Sequence, residues 1–401
     1  MLHNLVRKFK PFRTLKGGRL SQDVLIEAIR LNRSQIRLKS HDMATWRISA
    51  ARRGAPGISV KSPYSVKIEA INPMEYVEHG DPKAEMVKGY LYLQTVGEED
   101  LPLQVKTAFQ EDIEYCVQSE SSSSRDYLKV TCSDQREFQY PSKDVSLHFQ
   151  VPANYGADIK VRDDANVDIR NLEGGPFDII MDQGTCRVKN LRGSHLRVKT
   201  NGGSIECESQ LLFELGNLDT KKKGKISVKK LQGKEFCLET ENGAIDVGAS
   251  YVLKAQLSSE SGHINLGDIH GESEVSVKSG DISIGSTSGI LKAVTNTGNI
   301  DISLSRHNNV ILETKEGDIH IKSLEESLYS ELQVKSKHID INSNVNVAID
   351  KEEKGENFIV MSGKLNPEDK TDEETRTIKA EAKLGTVKIE KKDWFSSLKF
   401  S

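Results

Sequence analysis

The sequence has few aromatic residues, few prolines and no long hydrophobic run. Aromatic residues make up 6% of the 401 positions, and there are 10 prolines against 30 glycines. No stretch approaches the roughly 18 consecutive apolar residues of a membrane-spanning helix, so we expect no membrane span. A chain of this length can bury a sizeable core. Abundant glycine and scarce proline favour short strands joined by glycine turns, and therefore an all-β protein.

Cysteine is also scarce and follows no metal-binding pattern. The five cysteines are Cys116, Cys132, Cys186, Cys207 and Cys237. Their number is odd and they include no C-x-x-C pair, which favours a reducing compartment. Cys116 and Cys132 could pair if the protein were exported. Cys186 and Cys207 stand at positions otherwise held by Ile or Val, which predicts buried thiols, whereas Cys237 has the opposite parity and is the better candidate for modification.

Acidic residues are almost absent from the first part of the chain. Residues 1–53 contain thirteen Lys/Arg and three Asp/Glu, an excess of ten positive charges, although the whole chain has a formal charge of -3. The rest of the chain is therefore acidic. An acidic body argues against nucleic acid as the partner, because phosphate binding needs a dense Lys/Arg face. Its one compact basic run, at residues 221–225, is interpreted as a solvated turn.

Residues 1–55 are interpreted as a basic leader that resembles a transit peptide. A secretory signal would need an apolar core of about 7 to 15 residues, which is missing. Residues 21–39 follow a helical pattern in which apolar positions alternate with arginines. We therefore expect a mitochondrial protein. The alternative is a basic tail on a cytoplasmic protein, since Asp23 and Glu27 are unusual in mitochondrial leaders.

A five-residue unit of the form Gly-x-Ile-x-Val recurs with a nearly constant period. Its third and fifth residues are apolar and its second and fourth are mostly polar, the pattern of a half-buried strand. Successive units begin 18 to 21 residues apart, and an eleventh follows a longer insertion. The units begin at Ala165, Gly184, Gly203, Gly224, Gly243, Gly262, Gly280, Gly298, Gly317, Lys337 and Gly385.

A second alternating strand precedes most of these pentads, as in Leu196-Arg-Val198, and a Thr or Ser turn connects the two. One such coil cannot bury its apolar side alone, but stacked coils form parallel sheets around a continuous core. We therefore predict a single-stranded β-solenoid, or β-helix, of about eleven coils of about 19 residues, preceded by a less regular β-sheet cap.

The composition divides the chain further into four segments after the leader. Residues 56–155 hold less regular strands, at 65–68, 90–93, 127–130 and 145–149, and are predicted to form the N-terminal β cap domain. Residues 156–349 form the solenoid. Residues 350–376 are an acidic, partly mobile insertion with a strand at 358–361. Residues 377–401 contain the last coil and a C-terminal cap that includes Trp394 and Phe395.

Residues 145–152, which lead into the repeated Gly-x-Ile-x-Ile units, carry a family resemblance. This part of the chain, about residues 140–345, resembles the adhesin-like family of β-solenoid domains of unknown function. With its basic leader and Trp-Phe-x-x-Leu-Lys ending, the whole chain also resembles the animal family with sequence similarity 185. These resemblances imply a β-solenoid and bring no established activity.

The sharpest candidate site is a cluster of histidines and aspartates on the outside of the predicted solenoid. If consecutive pentads stack in register, Asp318, His320, His338 and Asp340 form a two-by-two cluster beside Asp301. Two histidines and a carboxylate could then bind Zn²⁺. The alternative is that His and Asp alternate only to avoid like-charge neighbours. His263 and Asp281 are predicted to form a similar cross-coil pair.

The sequence favours a non-enzymatic scaffold or binding protein that presents a polar sheet face, with protein as the partner and no cofactor. No Gly-x-Ser-x-Gly nucleophile motif occurs. Polysaccharide-cleaving β-helices place carboxylates in clefts formed by long loops, whereas these coils are short and uniform. A β-helix hydrolase or lyase acting on a glycan, and a self-assembling structural protein, are the alternatives.

Overall fold

In the residues that it describes, the structure, a computed structural model, consists almost entirely of β-strands, and a short 3-10 helix lies at Pro367–Asp369. The chain divides into two compact units, residues 1–41 with 94–100 and residues 42–93 with 101–401. The repeat lies in the second unit, to which the description below refers. The structure describes residues 38–49, 57–71, 86–96, 113–120, 125–132, 145–323, 329–369 and 376–391.

The strands differ in length because the longest ones pass through several sides of a coil without interruption. Short strands occur mainly near the two ends of the repeat. In chain order they are β1 (Leu38–Ser49), β2 (Gly57–Ser62), β3 (Ser65–Ala70), β4 (Met86–Val96), β5 (Ile113–Glu120), β6 (Arg125–Cys132), β7 (Val145–Val151), β8 (Gly156–Val161), β9 (Val167–Arg170), β10 (Phe177–Met181), β11 (Cys186–Lys189), β12 (Leu191–Thr200), β13 (Ile205–Thr220), β14 (Ile226–Thr240), β15 (Ile245–Ser261), β16 (Ile264–Ser279), β17 (Ile282–Thr297), β18 (Ile300–Glu316), β19 (Ile319–Ser323), β20 (Ser330–Ile341), β21 (Val347–Lys354), β22 (Ile359–Leu365) and β23 (Thr377–Lys391).

The pentads stack in parallel and in register, which confirms the predicted β-solenoid. Ile205 lies opposite Ile226, and Ile226 lies opposite Ile245. All three side chains are fully buried. Because side chains alternate between the two faces of a strand, this register places one apolar row inside every coil and leaves the polar row outside.

Each coil has three sides, which agrees with the predicted two or more strands per coil and adds one side that the sequence did not locate. In β13 the pentad strand is followed by a short second side at 211–213 and then by the strand that precedes the next turn. Leu211 and Phe213 point inward and are both 1% exposed. The second side therefore adds a third wall of apolar side chains to the core.

Buried threonines close the turns between coils. The Thr220 hydroxyl donates a hydrogen bond of 2.8 Å to the carbonyl oxygen of Gly203, and the Thr314 hydroxyl donates one of 2.9 Å to Gly298. A buried hydroxyl without a partner costs about 1–3 kcal/mol, so these bonds make an inward threonine compatible with the core. The threonine at each of these turns therefore lies at the bend and also satisfies a backbone carbonyl at the edge of the core.

The last coil in the sequence is not the last coil in the stack. Strand β23 pairs in parallel with β18 and β19 on one side and with β20 on the other. Val387, for example, lies between Ile319 and Ile339. The C-terminal coil is thus inserted between two coils that are consecutive in sequence.

The N-terminal end shows the same insertion. Strand β2 lies between β6 and β8, so that Val60 is opposite Val130 on one side and Ile159 on the other. Strand β3 lies between β7 and β9 in the same way. The four strands predicted in this region are present as β3, β4, β6 and β7. Together with β2, strands β3, β6 and β7 form two further levels of the stack, and β4 pairs antiparallel with β7.

Antiparallel strands cover outer edges at both ends of the stack. Strand β5 pairs with β6, and β4 pairs with β7. At the other end β22 pairs with β20, and β21 pairs with β22. Exposed strand edges invite pairing with other chains, and these antiparallel strands occupy such edges.

Some predicted segments differ from the structure or lie outside it. The strand predicted at 358–361 is present as β22, while β21 covers residues 347–354, where the charged sequence predicted a loop to begin at 350. Residues 38–49 of the predicted leader form β1. Residues 1–37 of the leader, and residues 392–401 with the predicted cap residues Trp394 and Phe395, lie outside the described residues.

Candidate binding surface

The structure separates the two halves of the predicted histidine and aspartate cluster. His320 lies opposite Lys388, which in turn lies opposite Asp340, and His338 lies opposite Thr386. The inserted β23 therefore places His320 and His338 two strand spacings apart and two residues out of register, about 12 Å between backbones. The predicted two-by-two cluster is wrong for this reason. Among the residues that the structure describes, no group of three His, Cys, Asp or Glu could hold a metal ion.

Asp318 also turns away from the histidines. Its Oδ1 accepts a hydrogen bond of 2.7 Å from the backbone amide of Thr386, across the junction with β23. Its own amide donates to Asn299 Oδ1 at 2.9 Å. Asp318 therefore ties three successive turns together through backbone amides.

His320 instead lies among alternating acidic and basic side chains. Its Nε2 lies 2.8 Å from Glu390 Oε1, and its Nδ1 lies 3.6 Å from Asp301 Oδ2. Lys322 Nζ is 2.6 Å from the same Asp301 oxygen, and Lys388 Nζ is 2.7 Å from Glu390 Oε2. The hydrogen bond from Lys388, with a smaller contribution from His320, lowers the pKa of Glu390. Each charge has an opposite neighbour, as the simpler alternative predicted.

The other predicted cross-coil pair is present. The Nδ1 atom of His263 accepts a hydrogen bond of 3.1 Å from the backbone amide of Asp281 and lies 3.4 Å from its carboxylate. Both side chains are at least half exposed. The pair links two coils at a turn. Both contacts join only His263 and Asp281, neither of which is a hydroxyl or thiol nucleophile.

The buried cysteines are confirmed, and Cys237 is less reactive than its position suggested. Cys186 is 0% and Cys207 is 4% exposed, and burial raises the pKa of the Cys207 thiol to about 12. Partial burial, together with Glu239 and Asp219, also raises the pKa of Cys237. A thiol reacts as its thiolate, so all three are poor nucleophiles at neutral pH. Cys132 is also buried.

A buried histidine, which the sequence did not single out, links two coils near the C-terminal end. His307 is fully buried; its Nδ1 lies 3.1 Å from the carbonyl oxygen of Ser305, and its Nε2 lies 2.8 Å from Ser330 Oγ. Since a carbonyl can only accept, Nδ1 carries the proton and Nε2 accepts from the serine hydroxyl. Burial lowers the pKa of His307. A neutral imidazole thus connects β18 to β20.

A groove of about 510 Å³ lies at the N-terminal end of the stack. Three cations, Lys61, Lys160 and Arg162, line it together with the half-exposed Ile180. We call it the N-terminal groove. Sequence reasoning missed this groove because the insertion of β2 brings Lys61 next to Lys160, although the two are far apart along the chain.

A second, shallower groove of about 480 Å³ follows a row of glycines at the pentad ends. Gly248 and Gly267 stand where neighbouring coils would carry outward side chains, and Asp246, Asn265 and Ser227 form one wall. A Cβ at Gly267 would come within 2.0 Å of the Gly248 carbonyl oxygen. These glycines are required by backbone packing, which by itself accounts for the groove.

The fold and surface define a β-solenoid with polar outer ladders. The family Toastrack DUF4097 matches residues 98–350, which is more than half of the chain. The chain belongs to this family. The match begins within the region that was predicted to be a separate cap and ends beyond the pentad at 337–341.

Three solved bacterial structures are similar to this chain at low identity. They are a "putative cell adhesion protein" from Clostridium sporogenes (8% identity, 89% of this chain and 100% of that chain, TM-score 0.23), a "putative adhesin" from Bacteroides fragilis (11%, 89% and 97%, TM-score 0.26) and a "putative adhesin" from Parabacteroides distasonis (12%, 72% and 98%, TM-score 0.34). At these TM-scores they add nothing to the fold, which rests on strand register and the family match.

The remaining predictions concern location and partners. In the described part of the chain, no helix has the length and apolarity needed to cross a membrane. The mitochondrial location, the transit peptide and the resemblance to the animal family with sequence similarity 185 stay predictions.

Proposed function

We propose that this protein is a non-enzymatic binding scaffold, which presents the outer faces of its solenoid to a protein partner. The observation that carries the proposal is the regularity of the outer ladders, in which charged and polar side chains repeat at each level of the parallel stack. A surface of this kind is rigid because every strand in the middle of the stack is paired on both sides. Rigid, extended polar surfaces are the part of solenoid proteins that usually contacts partners.

The contacts around His320 support binding rather than catalysis. A general base or nucleophile needs a free position beside it for a substrate. His320 is instead flanked by Asp301 and Glu390, and lysines neutralise both carboxylates. The family to which the chain belongs brings no established enzymatic activity, which is compatible with a binding role.

We also propose that the protein acts in mitochondria and that residues 1–55 direct it there. The proposal rests on the basic, acid-poor character of these residues. The resemblance of the whole chain to the animal family with sequence similarity 185 belongs to the same proposal, because it includes the basic leader.

Proximity labelling with the full chain fused to a biotin ligase tests both proposals. A variant that lacks residues 1–55 is the matched control. We expect the full chain to label a small, reproducible set of mitochondrial proteins and the truncated chain to label a different set. An unchanged set would contradict the transit peptide. A set no different from that of the ligase alone, in either form, would contradict the scaffold.

A further inference from the structure

In the part of the chain that the structure describes, the cations of the N-terminal groove have little or no neutralisation by nearby carboxylates. Lys61 lies directly opposite Lys160 on the neighbouring strand, one strand spacing away, about 4.8 Å between backbones. Like charges directly opposite one another are destabilising. Over the described residues, neither Lys61 nor Arg162 forms an ion pair. Lys160 has only a long contact, 3.7 Å, with Asp158.

The carboxylate on the rim of the groove, Asp182, accepts hydrogen bonds from within the chain. Asp182 accepts hydrogen bonds from the amide of Asp163 at 3.2 Å and from Asn201 Nδ2 at 2.9 Å. Further along the same sheet, Lys292 is paired with Glu274 at 3.0 Å. Three cations against this one carboxylate make the groove a local positive site on a body whose overall charge is negative.

The floor of the groove is apolar. Ile180 lies between Lys160 and Lys199 in the same outward row and is 38% exposed, and Cys132 and Val161 form a buried wall. Outward positions on this sheet are otherwise mostly polar, so an exposed isoleucine between lysines provides a place for an apolar side chain. An anion without an apolar group would make no hydrophobic contact with Ile180.

The positive stretch is short. In the same outward row Lys199 is followed by Asp219 and then by Glu239. A long polyanion such as nucleic acid would meet these carboxylates within two levels, about 10 Å, and be repelled. The groove therefore fits a ligand with a few negative charges close to an apolar group.

We infer that the N-terminal groove binds a short acidic peptide segment of a partner protein, with an apolar residue of that segment on Ile180 and its carboxylates beside Lys61, Lys160 and Arg162. The inference rests on the proposed scaffold function and assigns the partner class and the place of contact. Charge complementarity of this kind mainly sets association rate and specificity, so binding should weaken with salt.

Titration of the full chain with the labelled peptide Glu-Glu-Leu-Glu-Glu tests the inference by fluorescence anisotropy. The variants are Lys61→Glu, Arg162→Glu and Ile180→Ser, all at exposed side chains whose replacement leaves the core intact. Lys379→Glu, an exposed lysine of the same sheet near the other end of the stack, is the matched control. The peptide Gln-Gln-Leu-Gln-Gln controls for charge.

We expect each charge reversal to raise Kd about tenfold and Ile180→Ser to raise it about threefold, which corresponds to about 1.4 and 0.7 kcal/mol. The control variant should bind as the unmodified chain does. Three results would each contradict peptide binding in the groove. They are an equal Kd for Lys61→Glu and the unmodified chain, an equal Kd for the neutral and the acidic peptide, and no binding of the acidic peptide. Proximity-labelled partners that persist in Lys61→Glu would show that the scaffold proposal survives such a failure.

Discussion

At the scale of single residues, the turn glycines decide whether coils can approach one another. Gly298 has a φ of 146°, and a Cβ there would come within 2.1 Å of the Gly280 carbonyl oxygen. Gly285 has ordinary φ, and its nearest obstacle is 3.2 Å away. The two glycines lie on neighbouring levels of the same solenoid but differ in what a methyl group would meet.

We therefore predict that Gly298→Ala destabilises the protein by about 2 kcal/mol or more and that Gly285→Ala costs less than about 1 kcal/mol. Replacement at Gly298 adds backbone strain and a clash with a carbonyl that cannot move independently. Urea unfolding followed by circular dichroism measures both changes. Equal midpoints for the two variants would contradict the role of the turn geometry.

His307 gives the stability of the protein a pH dependence of known sign. Burial lowers the pKa of His307 in the folded state below its ordinary value of 6.5, and Arg376 acts in the same direction. Below about pH 6.5 the unfolded chain therefore binds more protons than the folded one, and stability falls as pH falls. Burial also lowers the pKa of His148, which adds to the same trend.

We predict that His307→Gln reduces the loss of stability between pH 7.5 and 5.5, although it lowers stability at pH 7.5 because the bond to Ser330 changes. Urea midpoints at the two pH values provide the test. His263→Gln, which removes an exposed histidine, is the control. A pH dependence identical to that of the unmodified chain would mean that His307 does not carry it.

At the scale of strands, the order of coils matters more than their sequence. Pentad 337–341 is one period beyond pentad 317–321, so the repeat predicts that they touch. Strand β23 lies between them instead, with Val387 opposite Ile319 on one side and Ile339 on the other. Zinc binding that needs both His320 and His338 is therefore not expected.

We predict that the zinc content of the dialysed protein does not depend on both histidines. The single variants His320→Ala and His338→Ala should therefore not both lose zinc that the unmodified chain retains. Elemental analysis by mass spectrometry measures the bound metal. Stoichiometric zinc that disappears in each single variant would show that the histidines converge despite the intervening coil.

The comparison between sequence and structure follows from the same physics. Alternating apolar residues such as Ile226 and Val228 predict a half-buried strand, and a constant period predicts stacking. The second side of the coil was missed because Leu191 and Leu231 are single apolar residues among polar ones. The N-terminal groove was missed because Lys61 and Lys160 become neighbours only through insertion of β2. Periodicity records what a strand buries, not which strand lies beside it.

At the scale of the whole solenoid, β23 fills a gap that its absence would leave open. Its inward residues Ile378, Val387 and Ile389 are at most 1% exposed. Without them, the facing edges of β19 and β20 would lose their parallel partner. Unpaired edges of this length are templates for pairing with other chains.

We predict that a chain ending at residue 376 forms larger assemblies than the full chain does at the same concentration. Light scattering coupled to size-exclusion chromatography measures the difference. The full-length variant Lys379→Glu, which changes an exposed residue and keeps β23, is the control and should behave as the unmodified chain does. A truncated protein with the same mass distribution as the control would contradict the role of β23 in closing the stack.

The two insertions also impose an order on how the protein is made. A ribosome delivers β2 and β3 before either of their neighbours, so the N-terminal insert can serve as a template on which coils are added from both sides. At the other end both neighbours, β19 and β20, emerge before β23. The coil of β20 cannot reach its final place beside β23 until β23 has been synthesised. Until residue 391 has emerged, the nascent chain has unpaired strand edges on β19 and β20, with which a strand of another nascent chain on the same polysome could pair.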